Sequence, residues 1–99
     1  MAHDFGIKNT KKEDFAFFFG YANGLMYHAF SEEKHDRIIS GDNCVEIKTK
    51  AETEKALDWA IEQFDAMGYP DPQRLDAIKK FRQDMSGDAP TDTYDVWFG

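Results

Sequence analysis

Between Phe15 and Phe30 the chain carries seven of its 15 aromatic residues, and no other stretch constrains the fold as strongly. Phe15, Phe18, Phe19, Ala22, Leu25, Met26, Ala29 and Phe30 recur at the i, i+3, i+4, i+7 spacing of one helical face. The spacing predicts a helix over 15–30. Ahead of it, Thr10-Lys11-Lys12-Glu13 reads as a capping box, in which the threonine hydroxyl and the glutamate carboxylate satisfy two free backbone N–H groups. A second row at the same period, Phe17, Tyr21, Gly24 and His28, leaves this helix apolar around most of its circumference. Such a helix is either central in its own fold or buried against another chain. Gly20 and Gly24 stand four apart, a spacing that lets a second backbone approach closely. Phe17, Tyr21 and Gly24 are therefore the expected contact of a homodimer, beside the simpler expectation of a core helix crossed by its neighbours. As a membrane span the stretch is too short. Its 16 residues would rise only ~24 Å against the ~30 Å of a bilayer core, with Asn23 and His28 inside it.

The rest of the chain reads as shorter elements around that helix. Residues 1–9 carry no periodic signal and are expected to form an irregular arm. Ser40-Gly41-Asp42-Asn43 is a dense turn cluster, and Cys44-Val45-Glu46-Ile47-Lys48 alternates apolar with polar as a half-buried strand does. Together they predict a hairpin at about 37–48. Thr49-Lys50-Ala51-Glu52 is a second capping box, opening a helix with Ala56, Leu57, Ala60, Ile61 and Phe64 on its inner face. Gly68 suits its C-terminus. Asp71-Pro72 then supplies an N-cap and a first-turn proline for a third helix, whose stripe is Leu75, Ile78, Phe81 or Arg82, and Met85. Beyond Gly87 a polar linker leads to Tyr94-Asp95-Val96-Trp97-Phe98, with Tyr94, Val96 and Phe98 on one face of a strand able to pair with Cys44–Lys48. The expected fold is a helix-dominated α+β domain of three helices with a short hairpin and a C-terminal strand in a small sheet. One compact helical domain should occupy 10–87, with 88–99 as linker and strand.

Charge narrows the possible partners. The net charge is −7, and nearly all of it lies in the second half: −1 over residues 1–50 and −6 over 51–99. That balance argues against direct binding to nucleic acid or an anionic membrane, both of which need a basic surface. Glu54, Asp58, Glu62 and Asp65 run down the outer face of the second helix, those four residues apart rising about 6 Å along its axis. Like charges at this spacing weaken a helix by a few tenths of a kcal/mol each, which hints at a use outside folding. The expected use is docking on a basic surface of another protein, such as a nucleic-acid-binding site that the carboxylates mimic. Arg74, Lys79, Lys80 and Arg82 on the third helix are placed to neutralise part of the row. Asp84, Asp88, Asp92 and Asp95 continue the acidic run, and Tyr94, Trp97 and Phe98 are expected anchors at the chain end.

Catalytic signals are few. Cys44 is the only cysteine, so paired-cysteine metal sites and internal disulfides are excluded, in keeping with a reducing compartment. The first residues show no charged segment leading into an apolar one, so a cytoplasmic chain is expected. If the first helix continued through Ser31, then His28, Glu32, His35 and Asp36 would share a face, a donor set suited to zinc or another transition metal. The histidines would stand about 10 Å apart in rise, too far to share one ion readily. There is no nucleophile elbow, phosphate loop or dinucleotide fingerprint. The sequence thus points to a small acidic protein-binding regulator or inhibitor with no cofactor, of a kind common among viruses and mobile elements. A protein assembling through the aromatic helix is the second expectation, and a metal-dependent enzyme a distant third.

Overall fold

A computed structural model describes residues 5–18, 21–30, 44–66 and 71–99. In chain order these form β1 (Phe5–Asn9), β2 (Ala16–Phe18), α1 (Tyr21–Phe30), β3 (Cys44–Thr49), α2 (Lys50–Ala66), α3 (Pro72–Met85) and β4 (Thr93–Phe98). The four strands make one antiparallel sheet in the order β2-β1-β4-β3. The helices cover one of its faces, giving a two-layer α+β domain.

The inner layer follows from alternation along each strand. Phe5, Ile7, Phe18, Tyr94, Val96 and Phe98 all point to the helix side and are buried. They meet Met26, Tyr27 and Phe30 of α1, Ala56, Leu57, Ala60 and Phe64 of α2, and Ile78 and Met85 of α3. Phe5 is the hub, with its ring 5.5 Å from Phe30, 5.8 Å from Phe98 and 6.3 Å from Phe18. The Tyr27 hydroxyl donates to the Gly99 carbonyl at 2.7 Å, tying α1 to the end of β4.

Both predicted starts of the later helices are present. Glu52 N–H donates to Thr49 Oγ1 at 3.1 Å and Thr49 N–H donates to Glu52 Oε1 at 2.9 Å, the reciprocal pair that opens α2. Asp71 caps α3, accepting from the Arg74 N–H at 3.2 Å, with Pro72 in the first turn. The expected pairing of the C-terminal strand with Cys44–Lys48 also stands, Val96 lying opposite Glu46 and Tyr94 opposite Lys48.

The first thirty residues differ from expectation. Residues 1–9 are not an irregular arm throughout, because Phe5–Asn9 is an inner strand paired on both sides. Gly6, which supplies no side chain, hides its in–out alternation. The helix does not run over 15–30 either: Ala16–Phe18 is a strand and α1 begins at Tyr21. A run in which nearly every residue is apolar fits period 2 as well as period 3.6, so spacing alone cannot separate them. The Thr10–Glu13 box caps no helix. It lies in the β1–β2 turn, where Lys12 N–H donates to the Asn9 carbonyl and Lys11 N–H to Asn9 Oδ1, each at 2.9 Å. The first arm of the hairpin at about 37–48, and Gly20 and Gly68, fall outside the described residues.

Candidate functional site

The acidic row lies where helical spacing places it. Along the outer side of α2, Glu54 is half-buried while Asp58, Glu62 and Asp65 are exposed. Arg82 reaches across from α3 and caps the upper part, with its guanidinium 3.3 Å from Glu54 Oε2 and 2.8 Å from Asp58 Oδ1. The other expected counter-ions do not join it: Arg74 pairs with Asp71, and Lys80 with Asp84 at 3.2 Å. Among the described residues Glu62 and Asp65 have no ion pair. The lower half of the row is therefore open carboxylate.

The later carboxylates serve the fold instead. Asp88 accepts from the Tyr94 hydroxyl at 2.6 Å and from the Asn9 amide at 3.1 Å. Asp92, only 8% exposed, accepts from the same amide at 3.0 Å and from Lys11 Nζ at 2.6 Å. Asp95 pairs with Lys8 at 3.2 Å and accepts from Thr10 Oγ1 at 2.8 Å. Burial pushes the Asp88 carboxyl up, but the hydrogen bonds from Tyr94 and Asn9 outweigh it and hold the group below the ordinary carboxylate range. Lys11 and then Asn9 depress Asp92 in the same way. Burial, reinforced by Asp88, raises the Tyr94 phenol. The cations paired with Asp92 and Asp95, Lys11 and Lys8, come from β1 and its turn, some 80 residues away in sequence. No local reading of 84–95 finds them.

The terminal aromatics divide between the two faces of β4. Tyr94 and Phe98 are wholly buried in the core, so they are not available as surface anchors. Their placement two and four residues along one strand from Val96 and each other belongs to a face packed against the helices. Trp97 points the other way and meets Phe17 edge-on, with ring centroids 5.8 Å apart.

That other face of the sheet bears no helix among the described residues. The register sets Phe17, Gly6, Trp97 and Val45 in one row across β2, β1, β4 and β3, and Lys8, Asp95 and Ile47 in the next. Phe15 lies beside Phe17 at 5.9 Å. Both rings rest over Gly6, where a Cβ would come within 3.0 Å of Phe17 and 3.2 Å of Phe15. Phe17, Val45 and Ile47 are 51, 53 and 66% exposed. Phe17 thus does not share a helical row with Tyr21 and Gly24, which belong to α1. Around Gly24 an added Cβ would meet nothing within 4 Å, so no described backbone makes the close approach its spacing suggested.

A shallow cleft of about 410 Å³ lies between the end of α1, β3 and the first turns of α2. His28 stacks on Trp59 at its wall, the rings 4.9 Å apart and within 13° of parallel. Glu32 and His35, its expected companions as metal ligands, lie outside the described residues. Among the described residues no three histidine, cysteine or carboxylate side chains are grouped to hold a metal ion. No described helix is long and apolar enough to cross a membrane. No family model, curated protein or solved structure matches the chain.

Proposed function

We propose that this protein acts by binding and not by catalysis: it is a small acidic regulator that docks the outer face of α2 on a basic surface of another protein. The observation that carries this reading is the division of the carboxylates. Those of β4 and its approach are bound internally, whereas Glu62 and Asp65 project from α2 with no counter-ion among the described residues. A face of this kind attracts cations over a Debye length of ~8–10 Å, which speeds encounter and makes affinity fall with salt. Asp58, Glu62 and Asp65 rise ~4.5–6 Å from one to the next along the helix, a spacing that lets them meet lysine and arginine side chains that otherwise bind phosphates. Nucleic-acid mimicry is the most specific form of the proposal.

Two variants of equal charge test it against an oligolysine peptide of about 20 residues at low salt. In Glu62→Lys/Asp65→Lys the open half of the α2 row is reversed, and in Glu13→Lys/Asp14→Lys the same charge is removed from the exposed β1–β2 loop. The first should weaken binding at least tenfold more than the second. Equal losses in both would show that only net charge matters and would reject the α2 face.

A further inference from the structure

The open face of the sheet carries an inference independent of the acidic helix. In β3, Val45 and Ile47 face outward while Glu46 and Lys48, paired at 3.3 Å, face the helix layer. A shift of one residue would exchange the two sets and place both aliphatic side chains on the helix side. The pairing with β4 holds the opposite arrangement, so the alternation expected of a half-buried strand is present with its apolar side turned to solvent. Phe17 and Trp97 continue that apolar row across the sheet. All three large apolar side chains exposed by half or more among the described residues belong to this one face. Scattered exposed apolar residues are ordinary, but a contiguous patch marks a contact.

Charge identifies the occupant. The charged side chains in these rows are Lys8 and Asp95, which neutralise one another at 3.2 Å. On a chain of net charge −7 this is a neutral patch. Two copies meeting through their α2 faces would repel, whereas two meeting here bring together only apolar side chains and balanced ion pairs. We infer that a second copy of this chain packs on the open sheet face, sheet against sheet about a twofold axis. Four strands ~4.8 Å apart and about 17 Å long give a footprint on the order of 300 Å² per copy. Even allowing for side-chain relief, this lies at or below the small end of stable interfaces, about 1,200 Å² in total. The dimer is therefore weak and forms reversibly at micromolar concentrations or above.

Sedimentation equilibrium of the intact protein from about 5 to about 500 µM, at low and high salt, tests this. The mean mass should rise from 11.4 kDa toward twice that value. Added salt should strengthen the association or leave it unchanged, because it screens repulsion between two acidic chains. Ile47→Lys and Val45→Glu, each at an exposed position, should weaken it at least tenfold while far-UV circular dichroism stays that of the parent. A monomer throughout at both salts would overturn the inference and assign the face to a different chain. So would a dimer that persists in both variants. Neither result bears on the α2 face, whose binding is read at low concentration and has the opposite salt dependence.

Discussion

Asn9 does more for this fold than its size suggests. Its amide donates to Asp88 at 3.1 Å and to Asp92 at 3.0 Å, holding two carboxylates beside each other at the mouth of the α3–β4 connection. Replacing it with leucine removes both donors and leaves the two acids facing an apolar side chain. Asn9→Leu should cost about 1–3 kcal/mol in urea denaturation. The same knot sets an acid limit. Asp88 and Asp92 both titrate below their ordinary value, near ~4, so their stabilisation is fully present above that value. It is lost as pH falls through their lower folded-state values. Thermal stability should accordingly drop below about pH 4, and less steeply in Asp92→Asn. A drop of equal steepness in that variant would contradict the assignment. Gly6 is the second decisive residue, since any Cβ there must displace Phe15 or Phe17. None of this is legible in the local sequence, where Asn9 reads as part of an arm and Asp88 and Asp92 read as surface charge. Asn9, the donor they share, reaches them only through strand pairing across the whole length of the chain.

The two capping boxes show how far a local pattern determines an element. Thr49 to Glu52 and Thr10 to Glu13 have the same pattern, yet only the first opens a helix. The residues downstream of each box decide the outcome. After Glu52 the apolar residues are separated by charged ones at helical spacing, a pattern a strand cannot use. After Glu13 comes a nearly unbroken apolar run that pairs equally well with Phe5 and Ile7 as a strand. Thr49→Ala should therefore cost about 1 kcal/mol in denaturant midpoint analysis. Thr10→Ala removes no helix cap and should leave helical circular dichroism unchanged. The α2 row is legible too, being a matter of spacing within one helix. Spacing alone offers several cations on α3 to cover it, and packing selects Arg82 from among them. Arg82→Gln uncovers Glu54 and Asp58 at a cost of no more than ~1 kcal/mol. It should bind oligolysine several-fold more tightly than the parent, and weaker binding would count against an electrostatic face.

The described residues form a molecule with two unlike sides. Helices bear the acidic row on one, and the other is a neutral apolar sheet. The α+β class and the later elements can be anticipated because α2, α3 and β4 announce themselves in the sequence. The unlike sides cannot, because which face of β3 turns outward depends on its register with β4. A face-to-face pair would send both α2 rows outward on opposite sides of the dimer, so a partner offering two basic patches would be held by linked contacts. Self-association and partner binding should then respond oppositely to salt, the first strengthened or unaffected and the second weakened. The most direct test of the α2 face is an amide chemical-shift map of the protein titrated with oligolysine at low salt and low protein concentration. Shifts should gather on α2 around Asp58, Glu62 and Asp65 and leave Val45, Ile47 and Trp97 unmoved. Shifts spread over every exposed carboxylate, or gathered on the sheet, would contradict it.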